Sequence, residues 1–112
     1  MIDLEKMAEA HKRLFPNATL ESQVWKLEEE IREYIEAVYD NDLKQEIKES
    51  ADVVIVCGGL ARWCPMVAEY IKGIFFDSVD VEKEVARKWQ INLKRKWVWN
   101  GKTYHHEGKD NV

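Results

Sequence analysis

The chain has 112 residues and a mass of 13.2 kDa, which is the size of one domain and too small for a multidomain enzyme. Hydrophobic residues make up 46% of it, with five glycines and two prolines, so the composition excludes a disordered or collagen-like chain. The 17 basic and 21 acidic residues give a formal net charge of −4, which excludes a general nucleic-acid binder because such proteins are usually basic.

No segment is typical of membrane insertion or secretion. The longest apolar run, Val53 to Ala61, is much shorter than the ~20 residues that span a bilayer. The N-terminus is acidic and alternating, unlike a signal peptide, so we expect a cytoplasmic protein that does not bind membranes. Cys57 and Cys64 lie about 10 Å apart along one predicted helix, too far for a disulfide, and are expected to be reduced.

The first half of the chain predicts two helices. A short one runs from about Asp3 to Leu14 and ends before Pro16-Asn17. A second follows Thr19 as N-cap and continues to about Tyr39. Its apolar residues recur at helical spacing and predict one buried stripe: Leu20, Val24, Leu27, Ile31, Tyr34, Ile35 and Val38.

The third predicted helix runs from about Leu43 to Trp63, with Asp42 and Gln45 resembling a capping box. Residues 53–61 within it are apolar all round, which requires burial on every side and more cover than a single small bundle readily supplies. The adjacent glycines at 58 and 59 each cost about 1 kcal/mol in a helix, which the close approach of another backbone would explain. We therefore expect a homodimer or higher oligomer.

The rest of the chain predicts two more helical segments and a hairpin. Pro65 ends the third helix or opens a short segment to about Lys72. The last long helix begins at residue 77, 78 or 80 and reaches about Trp97, and residues 99–104 predict a hairpin that turns at Asn-Gly. These elements predict an all-α, bundle-type fold with a short hairpin-like tail, in one domain covering residues 1–112.

Two consecutive predicted helices each carry a pair of acids whose members are three residues apart. The pairs are Glu30 with Glu33 and Glu49 with Asp52. This spacing places the members of each pair about 60° apart, so each helix presents two carboxylates from successive turns. Asp52 shares a face with apolar residues of the following turns, and we expect it to be substantially buried. Buried acids become neutral, pair with cations or bind a metal, and Mg²⁺ and Mn²⁺ prefer oxygen ligands. The pairs indicate metal-dependent phosphate chemistry.

The acids have two other interpretations. An acidic helical face is often simply solvated, with ion pairs one turn apart such as Arg32 with Glu36. A di-iron centre requires Glu-x-x-His motifs, and His11, His105 and His106 do not follow either pair at that spacing. The two histidines of the tail are more typical of solvated surface.

The last helix carries Lys88, Asn92 and Arg95 within about 60° of arc. Lysine and arginine are the usual partners of phosphate oxygens, so this stripe could face a cleft beside the acids. A solvated basic face is the alternative.

The residues Glu29-Glu30-x-x-Glu33, Glu49-x-x-Asp52 and Lys88-x-x-x-Asn92-x-x-Arg95 resemble the EExxE, ExxD and KxxxNxxR pattern of MazG-like nucleotide pyrophosphohydrolases. This family belongs to the all-α NTP pyrophosphatase superfamily, and the resemblance covers about residues 20–95. It implies a four-helix bundle that forms a homodimer or homotetramer. It also implies that Glu30, Glu33, Glu49 and Asp52 bind Mg²⁺, with Mn²⁺ as a substitute.

The resemblance further implies cleavage of a nucleoside triphosphate between its α and β phosphates, giving the monophosphate and pyrophosphate. Glu29, or a metal-bound glutamate such as Glu30, would take the proton from the attacking water. Lys88 and Arg95 would bind the phosphates, and Asn92 would supply a directional hydrogen bond.

Several alternatives stay open from the sequence. A phosphoribosyl-ATP or dUTP pyrophosphohydrolase belongs to the same superfamily, and a non-enzymatic helical interaction module belongs to another class. Trp25 lies beside Glu29 on the side opposite the apolar stripe, where it would stack on a nucleobase or lie in a subunit interface.

Overall fold

The structure, a computed structural model, describes residues 2–107 as five α-helices followed by a two-stranded antiparallel hairpin. The elements are α1 (Leu4–Leu14), α2 (Leu20–Tyr39), α3 (Leu43–Leu60), α4 (Pro65–Phe75), α5 (Val79–Lys94), β1 (Trp97–Trp99) and β2 (Tyr104–His106). The prediction of a mostly helical domain with a C-terminal hairpin is confirmed. Within the described residues, no helix is both long enough and apolar enough to cross a membrane.

Side-chain caps fix the start of four helices. They are Asp3, Thr19, Asp42 and Ser78. Each satisfies a backbone N–H that the first helical turn leaves unpaired, which stabilises a helix by about 1 kcal/mol. The capping box predicted at Asp42 is half formed, because the Gln45 backbone N–H donates to Asp42 but the Gln45 side chain donates to Glu49 instead.

Three boundaries differ from the sequence prediction. α3 ends at Leu60, three residues before Trp63, because Pro65 starts a new helix and the preceding residues form a hydrogen-bonded turn. α4 continues past residue 72 to Phe75. α5 ends at Lys94, since Arg95 has an extended conformation that leads directly into β1.

The hairpin pairs Trp97 with His106, and its turn consists of the four residues 100–103, which include the predicted Asn-Gly. The Asn100 side chain accepts hydrogen bonds from the backbone N–H groups of Lys102 and Thr103, at 2.9 and 2.8 Å. Gly101 has a φ of 93°, a conformation that favours glycine.

Helix α3 is the centre of the fold and packs against the other four helices. One buried cluster joins it to α1 and α4: Leu4, Met7, Val53, Cys57, Leu60 and Ala68. A second joins it to α5: Ala51, Val54, Val81 and Val85. The expectation that the apolar segment needs cover from another chain is therefore wrong for most of its length, because the chain's own helices bury it.

The two glycines of α3 also have an explanation within the chain. A Cβ atom at Gly58 would lie 2.8 Å from Cβ of Met7, and one at Gly59 would lie 2.6 Å from Nε2 of His11 and closer still to Oε1 of Gln23. Side chains of α1 and α2 make this close approach, so the glycines do not indicate a partner backbone.

The buried face of α2 coincides only in part with the predicted apolar stripe, since Leu27 and Ile31 pack against the core cluster and Tyr34 contacts Phe75. Leu20, Val24, Ile35 and Val38 are exposed, whereas Ser22, Gln23 and Ala37 are buried. α2 packs chiefly against α3, along a line that passes through residues 23, 30 and 37, which recur almost every two turns. Two polar residues on this line, Gln23 and Glu30, therefore face the inside of the domain.

The prediction of reduced cysteines is confirmed, since both Cys57 and Cys64 are free. Burial raises the pKa of the Cys57 thiol to about 12, so this group is an unreactive core side chain.

We predict that Gly59→Ala lowers the free energy of unfolding by about 1–3 kcal/mol, because the added methyl group would overlap His11 and Gln23. The matched control is Gly73→Ala, where an added Cβ meets nothing within 4 Å; this change should raise stability by about 0.5–1 kcal/mol. Urea denaturation of both variants measures the difference. Equal effects would contradict the close packing of α1 and α2 at Gly59.

Candidate metal and phosphate site

The packing of α2 against α3 brings the predicted acids together. Carboxylate oxygens of Glu29, Glu30 and Glu33 all lie within 4.8 Å of one another, and so do those of Glu30, Glu49 and Asp52. Glu30 belongs to both groups, so the acids of the two helices form one continuous cluster. The EExxE and ExxD spacings predicted this juxtaposition.

Glu30 and Glu49 are the most constrained members of the cluster. Burial, followed by the charges of Asp52 and Glu33, raises the pKa of Glu30 to about 9. Glu49 is only 7% exposed, and burial raises its pKa as well. One oxygen of each carboxylate, Oε2, is buried and has no hydrogen-bond partner among the residues that the structure describes. Such atoms are costly in a folded protein, and a bound cation would satisfy them.

Asp52 forms an ion pair with Lys88, in which Nζ donates to both carboxylate oxygens at 2.8 Å. The Asp52 side chain is 26% exposed and that of Lys88 is 19% exposed, so most of Asp52 is covered, as predicted. Burial raises the pKa of Asp52, and the Lys88 ammonium group opposes this change. The sequence separated these residues into an acidic and a basic motif, whereas the structure joins them in one pair.

Asn92 and Arg95 lie on the same side as Lys88. The Arg95 guanidinium donates through Nη1 to Oδ1 of Asn92 at 3.0 Å, and its carbon lies 5.8 Å from the Trp97 ring centre. Lys88, Asn92 and Arg95 line one cavity of about 620 Å³ together with Glu29, Glu30 and Asp52. The basic stripe thus faces the cleft beside the acids.

Several further residues line this cavity that the sequence interpretation did not assign to the site. Additional cations are Lys26, Lys48 and Arg87; uncharged polar and aromatic residues are His11, Phe15, Gln23, Gln45, Trp89, Trp97, Tyr104, His105 and His106. The aromatic members come from α1 and its C-terminal end, from α5, which supplies Trp89, and from the hairpin. The alternating aromatic residues of the two strands were visible in the sequence, but no local signal showed where the hairpin would dock.

Trp25 is half-buried, but it is not among the described residues that line this cavity. The Lys102 ammonium group lies 4.4 Å from the centre of its ring, a cation–π contact between α2 and the hairpin turn. The structure therefore does not bring Trp25 together with the other predicted site residues.

Comparisons with protein-family models, curated proteins and solved structures found no significant match. The chemistry of the cavity is therefore the basis for assigning a function. Clustered carboxylates are the oxygen donors that hard divalent cations prefer, and the neighbouring Lys and Arg side chains suit phosphate oxygens. A site with both features can hold a metal ion and a polyphosphate side by side.

We predict that Glu30→Gln stabilises the metal-free protein at alkaline pH. The pKa of Glu30 is about 9 in the folded protein against an ordinary value of 4.5, so the fold loses stability as pH rises between these values. Each pH unit in this window costs up to about 1.4 kcal/mol, and glutamine removes the cost. In EDTA the variant should exceed the unchanged protein by about 2–4 kcal/mol near pH 8 and by little near pH 5.

Urea denaturation at the two pH values measures this effect, and Glu28→Gln is the control because Glu28 is exposed and outside the cluster. A Glu30→Gln variant with the same pH dependence as the unchanged protein would contradict the charge repulsion inferred for the cluster.

Proposed function

We propose that the protein is a Mg²⁺-dependent pyrophosphohydrolase that cleaves ribo- or deoxynucleoside triphosphates between the α and β phosphates. One observation carries this proposal: three acids of the cluster, Glu29, Glu30 and Asp52, line the same cavity as Lys88, Asn92 and Arg95. The buried Oε2 atoms of Glu30 and of the adjoining Glu49 lack hydrogen-bond partners among the described residues. The motif resemblance supports a single MazG-like all-α domain of the four-helix-bundle type over residues 1–112. We also propose that it acts in the cytoplasm.

The acids fit a hard divalent cation. All the donors are carboxylate oxygens, and the two groups of three that share Glu30 are compact enough to reach one ion or two neighbouring ions. Glu30, Glu33, Glu49 and Asp52 would hold Mg²⁺ or Mn²⁺. When bound there, the metal would neutralise phosphate charge and lower the pKa of a water molecule.

The chain's own residues would do the rest of the chemistry. Glu29 belongs to the cluster but is exposed, so it can accept the proton of the attacking water without giving up a buried position. Glu30 is the alternative base. Lys88 and Arg95 would bind phosphate oxygens and stabilise the charge that develops on the leaving pyrophosphate, while Asn92 orients the Arg95 guanidinium.

We predict metal-dependent release of pyrophosphate from at least one of the eight common ribo- and deoxynucleoside triphosphates. Activity should be present with Mg²⁺ or Mn²⁺ and absent in EDTA. Asp52→Asn should lower kcat/KM by about 100-fold or more, because it removes a charged ligand and the partner of Lys88. The control is Glu36→Gln, an exposed carboxylate of α2 outside the cluster, which should retain activity.

Release of orthophosphate instead of pyrophosphate would contradict the reaction. Full activity of Asp52→Asn would contradict the site. If no triphosphate is cleaved and neither cation raises the melting temperature, the helical interaction module becomes the better assignment.

We also propose that the protein forms a homodimer or homotetramer. The support is an exposed apolar stripe on α4, where Met66 and Tyr70 are 86% and 73% exposed and Ile74 lies one turn further on. Exposed apolar side chains that recur every turn on one helix are typical of a helix–helix interface.

We predict a dimer or tetramer in sedimentation equilibrium at micromolar concentration. Tyr70→Glu should shift the mass towards the monomer because it would bury a charge in the interface. Lys83→Glu changes an exposed side chain of α5 and should leave the mass unchanged. A monomeric unchanged protein would contradict the proposal.

A further inference from the structure

The cavity contains two clusters of different chemistry. The acids and cations come from α2, α3 and α5, whereas a group of aromatic side chains comes from the end of α1 and from the hairpin. The rings in contact across these elements are Phe15, Trp97, Tyr104 and His106, and they are called the aromatic wall below.

The aromatic wall is continuous. The Phe15 ring centre lies 5.3 Å from that of Trp97 and 5.0 Å from that of Tyr104, both in edge-to-face contact. Trp97 and His106, which pair across the hairpin, have ring centres 5.8 Å apart. Phe15 is buried, but the three hairpin rings are half-buried, so ring surface remains on the cavity side. A flat aromatic ligand could stack there.

Hydrogen bonds fix this wall to the helices. Trp97 Nε1 donates to the backbone oxygen of Asn92 at 2.9 Å, and the backbone N–H of Asn17 donates to the Tyr104 hydroxyl at 3.0 Å. Each bond joins the hairpin to a different part of the helical body. The wall is therefore preorganised, which lowers the entropy lost when a ligand binds.

The polar groups beside the wall include two uncharged ones. The Arg62 guanidinium can only donate, so His11 accepts its hydrogen bond at Nδ1, at 3.1 Å, and a neutral His11 carries its proton on Nε2. Burial lowers the pKa of His11 to about 4, which keeps the ring neutral near pH 7. Gln23, which is buried and also lines the cavity, adds an amide. An uncharged heterocycle with hydrogen-bonding edges suits such groups.

Arg95 connects the two clusters, since it is bonded to Asn92 and lies over the Trp97 ring. A ligand whose phosphates contact Lys88 and Arg95 would therefore extend its other end towards Trp97. We propose that the aromatic wall is the nucleobase subsite, with Trp97 and His106 as the residues on which the base stacks. This inference rests on the proposed function, and it gives the C-terminal hairpin a role in substrate specificity.

The test compares two variants of the wall, Trp97→Leu and His106→Leu, with Trp99→Leu as the matched control. Trp99 lies on the same strand as Trp97 but not among the described residues that line the cavity. Equilibrium dialysis measures binding of nucleoside monophosphates and of inorganic pyrophosphate, both with Mg²⁺. Circular dichroism and the Mg²⁺-induced rise in melting temperature check that each variant is folded and that its acid cluster is intact.

We expect each wall variant to weaken binding of the preferred nucleoside monophosphate by about tenfold, while pyrophosphate binding stays unchanged. Trp99→Leu should leave both unchanged. If Trp97→Leu does not fold, nucleotide binding by His106→Leu alone tests the subsite. Unchanged monophosphate binding in the folded wall variants would overturn the subsite.

Hydrolysis assays on the same samples separate this failure from a failure of the proposed function. If the unchanged protein releases pyrophosphate but the wall variants bind monophosphates normally, the proposed reaction remains supported and only the subsite is overturned. If the unchanged protein cleaves no triphosphate, wall-dependent binding of a monophosphate would still support the subsite, and no binding of any monophosphate would overturn it.

Discussion

The repulsion among carboxylates held between α2 and α3 is the constraint on which the site depends. Glu30 lies in two groups of three acids at once, and burial together with its neighbours raises its pKa to about 9. At neutral pH the metal-free cluster therefore holds a proton that these groups would lose in water. The ion pair between Lys88 and Asp52 relieves part of this charge, so the fold tolerates the cluster without removing its energetic cost.

The packing of α3 stabilises the fold around this repulsive acid cluster. α3 packs against the four other helices, and its fully buried Val53 and Val54 follow directly after Asp52, so the acid is attached to a well-packed part of the domain. Burying each valine stabilises the fold by about 1.5–3 kcal/mol, which is comparable to the cost of an unfavourable carboxylate. Stability that is lost locally while the remaining structure is well packed is typical of functional sites.

Much of this could be predicted from the sequence because it depends on local spacing. The acids three residues apart, the Thr19 cap and the basic stripe of α5 follow from helix geometry alone. The buried face of α2 was predicted only in part, because apolar spacing locates a hydrophobic face but does not show which residues meet α3. Leu27 and Ile31 pack against the core, but Gln23 and Glu30 face inward and Ile35 outward. The glycines of α3 correctly predicted that another segment packs closely against this helix, but only the tertiary structure shows that α1 and α2 do so.

The position of the hairpin is the feature of the fold that local sequence could least predict. Its strands and turn were predictable, but its position depends on contacts between Trp97 and the end of α5 and between Tyr104 and the α1–α2 connection. Those contacts place aromatic rings of the hairpin in a cavity that acidic and basic side chains also line. Phosphate groups are chemically the same in all nucleotides, so the charged side of such a cavity can define a reaction but not a substrate. If the proposed function is correct, discrimination between bases must come from uncharged and aromatic groups, and the hairpin brings Trp97, Tyr104 and His106 to the cavity.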